Sequence, residues 1–372
     1  MSQGFQAKAY LEKIDPYVAG KPIEETAREY GLRVQDIVKL ASNENPLGMP
    51  ESAKKAVNEA MDGIARYPDG NAWAVRKAIA EAFAVPPEWV IIGNGSDEIL
   101  GLSARVVLEP GARCVYSQYS FSVYELCAQE NGAECVEVPA RNFAVDLEAM
   151  ADAVDESTRL VFITNPNNPT GLALSAQALE KFIQGVPRNC LVVLDEAYVH
   201  YLPREERPDS VAWVRKYPNV LMTRTFSKAY GLAGLRAGFA IARPELIEMI
   251  NRIRPPFNMN ALAQAAVCGC IGDEEFLERV YRMNRQGVEQ LERFFASRSL
   301  TYVPTKANFI LVHIGPKAAE LNTALLKQGV IVRPLRSYGL PEWLRISVGT
   351  SGQNDRFIEA FGKAAADLGL NP

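Results

Sequence analysis

Four segments of this sequence carry residue types that could bind a phosphate, pair with a cation and attack a carbonyl group. They are GNGSD at residues 93–97, NPNNPTG at 165–171, DEAY at 195–198 and RTFSKAYGLAGLRAG at 224–238. Each one follows a short apolar run that predicts a buried strand. Ligands of open parallel sheets bind beyond the carboxyl ends of the strands, so we expect these segments to meet at one site.

The first and the last of these segments offer ligands for a phosphate. The glycines at 93 and 95 allow close approach of the backbone, and a helix predicted from residue 96 presents free amides to an anion. A plain helix start is the alternative, because the segment matches neither the phosphate-loop nor the dinucleotide fingerprint. The expected phosphate ligands are Gly95, Ser96, Asp97, Thr225, Ser227 and Arg236.

The other segments offer a carboxylate, amides and a nucleophile. Asp195 stands at the mouth of an apolar strand, where a carboxylate is costly to bury unless it meets a cation. Lys228 is a nucleophile when neutral, a state that desolvation and the nearby Arg236 favour. The asparagines of NPNNPTG can aim amides at a ring substituent. A capping aspartate, a surface lysine and a turn are the alternatives for these three features.

One ligand uses all of these groups together. Pyridoxal phosphate needs a phosphate nest, a carboxylate that pairs with its protonated ring nitrogen, and an amine that condenses with its aldehyde. The four strand ends therefore favour pyridoxal phosphate as the cofactor.

The motifs also resemble a known family. The series NPNNPTG, DEAY, TFSKAYGLAGLRAG and LRISVGT resembles the fold-type I pyridoxal-phosphate aminotransferases in order and spacing. DPYVAGKP at 15–22, ASNENPLG at 41–48 and RYPDG at 66–70 are similar to segments of the histidinol-phosphate aminotransferases, although Ala19 stands where that family often has proline. The resemblance covers nearly the whole chain. It implies transamination of histidinol phosphate with 2-oxoglutarate, giving imidazole acetol phosphate and glutamate, in histidine biosynthesis.

The resemblance implies roles around the cofactor. Lys228 would be the Schiff-base residue and proton shuttle, and Asp195 would pair with the pyridine nitrogen. Asn168 and Tyr198 would hydrogen-bond the phenolic oxygen of the cofactor. Tyr119, in YSQYSFS, would stack on the ring, with core packing as the alternative.

The resemblance also implies substrate contacts and a partner. Arg345, in LRISVGT, would fork onto the substrate α-carboxylate, which lysine could not do. Tyr17, Asn45 and Arg333 are similar in position to groups that contact the substrate and its phosphate. Tyr67 would reach the cofactor phosphate of the neighbouring subunit, which implies a homodimer. Each of these residues has a simpler alternative. Arg345 could be a surface arginine and Arg333 a charge at a strand end. Tyr17 could be a lid residue that only packs, and Tyr67 a turn residue.

Alternating strands and helices must position these residues. Short apolar runs alternate with helical patterns over residues 89–242, which predicts a mostly parallel seven-stranded sheet covered on both faces. A long amphipathic helix near 274–297 and further strands predict a second, smaller α/β unit. The expected fold is a fold type I α/β transferase. Its expected parts are an N-terminal arm at 1–50 that packs on the small domain, a large cofactor-binding domain at 51–255 and a small C-terminal domain at 256–372.

Composition narrows the class of protein. Lys and Arg total 40 against 44 Asp and Glu, a net charge of −4, so no overall positive field favours nucleic acid or an anionic membrane. No apolar run approaches the ~18 residues of a membrane span, and charges at 8, 12, 13 and 15 interrupt any signal-peptide core. The two histidines lie in no metal-binding pattern, so we predict no metal site. The six scattered cysteines favour reduced thiols and a cytoplasmic location.

Other functions stay open at this stage. An aromatic amino-acid aminotransferase shares every cofactor motif, and a phosphothreonine-type decarboxylase would differ in how it orients the carboxylate against the ring. A non-enzymatic regulatory module could lack Lys228 or Arg345, and this sequence has both. The missing nucleotide fingerprints disfavour a nucleotide-dependent enzyme. The expected partners are therefore a small amino donor, a 2-oxo acid and a second copy of the chain.

Overall fold

The computed structural model describes residues 6–17 and 20–370, which form an α/β protein with a large and a small sheet. The strands are β1 (Val38–Lys39), β2 (Val90–Asn94), β3 (Arg113–Ser117), β4 (Glu134–Val138), β5 (Thr158–Thr164), β6 (Leu191–Asp195), β7 (Val220–Thr225), β8 (Ala237–Ile241), β9 (Tyr302–Val303), β10 (Phe309–His313), β11 (Val330–Ile331), β12 (Arg333–Leu335) and β13 (Leu340–Ser347).

The helices surround and connect these strands. They are α1 (Ile23–Tyr30), α2 (Glu51–Ala60), α3 (Trp73–Phe83), α4 (Ser96–Val107), α5 (Val123–Gln129), α6 (Leu147–Ala153), α7 (Ala176–Gly185), α8 (Ser210–Lys216), α9 (Pro244–Ile253), α10 (Ala261–Cys270), α11 (Glu274–Ser297), α12 (Ala318–Lys327) and α13 (Ser351–Asp367). Within the described ranges, none of them is both long and apolar enough to cross a membrane.

The large sheet confirms the mostly parallel seven-stranded prediction. Its order is β2-β8-β7-β6-β5-β3-β4, with β8 antiparallel to both of its neighbours and the remaining pairs parallel. Every residue of β6 is buried. Val192 and Leu194 enter one apolar core, whereas Leu191 and Val193 enter the core on the other face. Burial on both faces explains why these strands are continuous apolar runs.

The small sheet has the order β12-β13-β10-β9 and is antiparallel throughout. It packs with α11, α12 and α13 around a third core. The N-terminal segment joins this part of the molecule, because β1 pairs with β11 and the Ser347 amide donates to the Leu40 carbonyl at 2.9 Å. Residues 41–43 therefore lie beside the small sheet.

The segment after residue 255 packs with the large sheet before the chain enters the small one. Apolar side chains from Met259 to Val280 belong to the core that also contains β6 and β7. Helix α10 makes its most extensive contact with α2. The boundary at residue 255 stays a prediction.

Candidate active site

A cavity of about 200 Å³ opens beyond the carboxyl ends of β5, β6 and β7, beside the start of α4. Most of the predicted site residues line it: Tyr17, Ser96, Asp97, Asn168, Asp195, Tyr198, Thr225, Ser227, Lys228, Arg236, Arg333 and Arg345. The large sheet brings its own motifs together, because they follow β2, β5, β6 and β7, whose carboxyl ends lie at the same edge. Arg333 and Arg345 come from the small sheet, and Tyr17 comes from the N-terminal segment.

One end of the cavity is an anion nest. Gly95 has a φ of 79° and a ψ of 171°, a conformation that favours glycine, and a β-carbon there would lie 2.5 Å from Nη2 of Arg236 and would displace that guanidinium. Arg236 donates to Ser227 Oγ at 3.4 Å and lies 3.5 Å from Asp97. The Thr225 hydroxyl accepts from the Ser227 amide at 3.1 Å. A guanidinium, two hydroxyls and the amino end of α4 therefore converge, as a phosphate requires.

Asp195 lies on the floor of the cavity. It is 4% exposed, and it accepts hydrogen bonds from the Tyr124 hydroxyl at 2.8 Å and the Ala197 amide at 3.1 Å. Burial raises the pKa of this carboxyl to about 6, and the bond from Tyr124 opposes that rise. A cation brought to this carboxylate would stabilise its ionised form.

The Lys228 amine lies above this floor. It donates to the Ser42 carbonyl at 3.0 Å, and it lies 5.9 Å from the centre of the Tyr198 ring. Burial, with the Arg345 charge as the second cause, lowers the pKa of Lys228 to about 8. The sequence predicted that the charge of Arg236 lowers the pKa of Lys228. This prediction was wrong, because the cation that contributes is Arg345.

Two arginines face each other on neighbouring strands of the small sheet. Arg333 on β12 is the register partner of Arg345 on β13, and both are buried. Arg345 donates to Asn168 Oδ1 at 2.5 Å and to the Ala41 carbonyl at 2.8 Å, while its Nε is buried without a hydrogen-bond partner in the described part of the chain. The Arg333 guanidinium lies 6.0 Å from the centre of the Tyr17 ring. This end of the cavity is built for anions.

The predicted stacking residue is not in the cavity. Tyr119 has a φ of 52°, and its ring lies 5.7 Å from Phe143 in a separate apolar cluster. Phe121, two positions later, lines the cavity instead. The left-handed backbone at Tyr119 turns its side chain away from the cavity. Tyr119 and Phe121 are two positions apart in a turn, and the sequence does not indicate which of the two rings points inward.

Two other predicted residues lie elsewhere. Asn45 donates to the Ala229 carbonyl at 2.7 Å and accepts from the Leu47 amide at 2.9 Å, so its amide holds the loop beside Lys228 and does not face the cavity. Tyr67 is 83% exposed and stacks on Phe257 at 4.7 Å on an outer surface. Neither residue lines the cavity within this chain.

Several lining residues had not been singled out from the sequence. They are Gly20, Ala41, Ser42, Asn43, Phe121, Thr164, Ala197 and Tyr338. Ser42 and Asn43 lie inside ASNENPLG, a motif noted only as a resemblance, and Ala197 lies within DEAY. The motifs marked the right segments without telling which side chains face inward.

These residues fit pyridoxal phosphate. The fit rests on a buried amine that is partly neutral near pH 8, a buried carboxylate, and a nest in which any β-carbon at Gly95 would collide with a guanidinium. The Lys228 amine, the Asp195 carboxylate and the side chains of the nest line a single cavity, as this cofactor requires.

Comparison with known proteins supports this assignment. The family model for aminotransferase class I and II matches residues 35–361. The chain is 54% identical over 360 residues to histidinol-phosphate aminotransferase 2 of Ralstonia nicotianae, with 96% of each covered. It is 52% identical over 358 residues to histidinol-phosphate aminotransferase 1 of Cupriavidus pinatubonensis, with 95% of each covered. A crystal structure of histidinol-phosphate aminotransferase from Sinorhizobium meliloti in complex with pyridoxal-5'-phosphate matches with a TM-score of 0.88 at 28% identity, covering 99% of both chains. The chain therefore belongs to the class I and II aminotransferases, a family of pyridoxal-phosphate enzymes.

Proposed function

We propose that this enzyme transfers the amino group of histidinol phosphate to 2-oxoglutarate, giving imidazole acetol phosphate and glutamate, as a step of histidine biosynthesis. The two relatives that carry this activity in their names are more than half identical to the chain over nearly its whole length. The cavity supplies groups for the cofactor at one end and for a strongly anionic substrate at the other.

The cofactor would lie across the ends of the large sheet. When bound, pyridoxal phosphate supplies an aldehyde that condenses with amines and a protonated ring that withdraws electrons. Arg236, Ser227 and the Gly95 turn would hold its phosphate, and Asp195 would pair with the ring nitrogen. The full set of proposed phosphate ligands is Gly95, Ser96, Asp97, Thr225, Ser227 and Arg236. Phe121, and not Tyr119, would lie against the ring of the cofactor.

Lys228 would act on the reacting atoms, and two further residues would orient the cofactor. Lys228, with its pKa lowered to about 8, supplies a neutral amine that attaches the cofactor and, when released, moves the substrate α-proton. Asn168 and Tyr198 would orient the phenolic oxygen of the cofactor. Asn168 also accepts the bond from Arg345, which links the substrate end to the cofactor end.

The observation that carries the choice of substrate is the register pairing of Arg333 and Arg345, which are 9% and 6% exposed. Two buried guanidiniums opposite each other favour a ligand with more than one negative charge. The phosphate of histidinol phosphate, which takes the place of an α-carboxylate, brings about −1.5 to −2 charges. Phenylalanine brings one. In the return half-reaction Arg345 would take the α-carboxylate of 2-oxoglutarate, and Tyr17 would close beside Arg333.

A single-turnover half-reaction tests this proposal. The holoenzyme is mixed separately with histidinol phosphate and with phenylalanine, and the conversion of the cofactor absorption band is followed. We expect conversion to favour histidinol phosphate, and Arg333→Gln to remove most of that preference. Arg336→Gln, an exposed arginine three positions along, is the matched control. Equal or faster conversion of phenylalanine by the native enzyme would reassign the chain to aromatic transamination.

A homodimer belongs to the same proposal. The exposed apolar side chains Ile64, Tyr67 and Phe257 line a surface groove of about 700 Å³. A second copy would cover this groove, and Tyr67 would then reach the cofactor phosphate of the partner subunit. We expect sedimentation of the native enzyme to give the mass of a dimer. We also expect Tyr67→Phe to retain the cofactor more weakly. A monomer that is fully active would refute it.

The remaining assignments are proposals of the same kind. We assign the arm, the large domain and the small domain to residues 1–50, 51–255 and 256–372, and the enzyme to the cytoplasm. All six cysteines are free, which fits a reducing compartment.

A further inference from the structure

Asn43 occupies an unusual position in the wall of the cavity. It is 1% exposed and has a φ of 55°, a left-handed conformation that asparagine tolerates better than most residues. Its backbone carbonyl accepts from Asn308 at 3.0 Å and its amide donates to Ser347 Oγ at 2.9 Å. The backbone of Asn43 is therefore fixed against the small domain.

The side chain of Asn43 joins two elements that carry site residues. Its Oδ1 accepts from the Ser347 hydroxyl at 2.8 Å, and its Nδ2 donates to the Tyr198 hydroxyl oxygen at 3.0 Å. Ser347 lies on β13, two positions from Arg345, and Tyr198 follows β6. The amide thus spans from the strand of the substrate arginine to the tyrosine of the cofactor site.

The direction of these hydrogen bonds is determined by the donors available. Ser347 Oγ accepts the Asn43 amide hydrogen, and Asn43 Oδ1 is the acceptor at hydrogen-bond distance for its own proton. A flipped amide would leave that proton without an acceptor among the described residues. With Oδ1 fixed toward Ser347, Nδ2 must donate to Tyr198. The Tyr198 oxygen is then an acceptor on this side, and its own proton is left to point into the cavity.

We propose that Asn43 is a positioning residue that aims the Tyr198 proton at the phenolic oxygen of the bound cofactor. The inference rests on the proposed placement of Tyr198 against that oxygen. A hydrogen bond donated to this oxygen would stabilise its ionised form and so lower the pH at which the bound cofactor takes up a proton. Asn43 therefore helps to set the pH at which the holoenzyme changes its absorption band.

Charged groups around Tyr198 bear on this pH. Lys228 lies over its ring, and Arg345, Asp195 and Asp97 contribute charges from β13, β6 and α4. A substitution that adds charge near Tyr198 can therefore shift the band directly, and the test must separate that effect from a reversed hydrogen bond.

The test is a pH titration of the holoenzyme absorption band. Asn43→Asp has the same shape but offers only acceptors, so it draws the Tyr198 proton to itself. We expect the pH midpoint to rise by about one unit, the size of one lost charge-assisted hydrogen bond. Ser347→Ala, which adds no charge and frees the amide to flip, should raise the midpoint by less. Tyr198→Phe gives the limit for complete loss of the donor.

The double variant decides the mechanism. If Asn43 acts through the Tyr198 proton, Asn43→Asp adds a smaller rise in a Tyr198→Phe background than in the native one, because only the direct effect of its charge remains. A full additional rise in the double variant, or no rise in both Asn43→Asp and Ser347→Ala, would overturn the inference. An unchanged midpoint in Tyr198→Phe would instead overturn the placement of Tyr198 in the proposed function. Should Asn43→Asp fail to hold the cofactor, the milder Ser347→Ala carries the test alone.

Discussion

The Tyr124 hydroxyl donates a 2.8 Å hydrogen bond to Asp195 Oδ2 in a place closed to solvent. The tyrosine ring stacks on Phe162 at 4.6 Å and meets Phe121 edge-on at 5.9 Å. Helix α5 therefore supports both the carboxylate at the floor of the cavity and the aromatic ring in its wall. Since burial alone raises the pKa of Asp195, this bond favours the ionised form that a protonated pyridine needs.

Tyr124→Phe is expected to weaken cofactor binding about tenfold at pH 7, because a hydrogen bond to a charged group is lost. The pKa of Asp195 then rises above about 6, so more of the carboxyl is protonated near neutrality. The defect should shrink at pH 8.5, where the carboxylate is ionised with or without Tyr124. Titration of the cofactor-free protein at the two pH values measures this.

Tyr116→Phe is the matched control, since it removes another buried tyrosine hydroxyl, on β3. We expect it to leave cofactor affinity unchanged. An equal defect in Tyr124→Phe at pH 7 and pH 8.5 would contradict the electrostatic role and leave only packing.

The lowered pKa of Lys228 predicts how fast the cofactor attaches. Only the neutral amine is a nucleophile, so attachment to the cofactor-free protein should speed up as pH rises through about 8 and then level off. Arg345→Gln removes the second cause of the shift and should move the midpoint upward. A midpoint near the ordinary lysine value of 10.5 in the native protein would contradict the buried-amine geometry.

Lys228→Ala should abolish turnover and the covalent product trapped by borohydride.

The sequence predicted the strand ends and their motifs because both are local. Strand β6 is an apolar run followed directly by Asp195, and the loop after β7 carries Lys228 within a continuous motif. Parallel pairing then places these ends side by side. Nothing beyond periodicity and motif order was needed to bring Asp195 and Lys228 into one cavity.

Other site residues depend on contacts that no local pattern carries. Asn43 meets Ser347 across 304 positions of sequence, and its role depends on which way its amide points. The pairing of Arg333 with Arg345 depends on strand register, which shifts between Pro334 and Leu335. Tyr119 was wrongly expected in the cavity because its positive φ is a property of the folded turn.

A buried ion pair behind the cavity predicts a stability effect. Arg224 Nε donates to Glu196 Oε2 at 2.8 Å, and the Glu196 side chain is only 2% exposed. Arg224→Met leaves that buried carboxylate with the Ser210 hydroxyl but without its cation, which is expected to lower the free energy of unfolding by about 3 kcal/mol. Thermal and denaturant unfolding of the holoenzyme measure the loss.

The exposed pair Arg204–Glu274 gives the control for that experiment. Its side chains are 61% and 62% exposed. Arg204→Met should change stability by no more than about 0.5 kcal/mol. Similar losses in the two variants would show that burial does not govern the Arg224 pair.

Arg345→Lys tests the fork at the substrate end of the cavity. Arg345 is held by Asn168 and by the Ala41 carbonyl, so its guanidinium is fixed before a substrate arrives. Lysine keeps the charge but has no planar pair of donors, and we expect KM for glutamate to rise about tenfold to a hundredfold. The change in kcat should be smaller, because in the proposed role the arginine would bind substrate and transition state alike. Arg336 is an exposed arginine nearby, and Arg336→Lys should leave KM and kcat unchanged. An unaltered KM in Arg345→Lys would mean that the carboxylate is held elsewhere, and Arg333 would be the next residue to substitute.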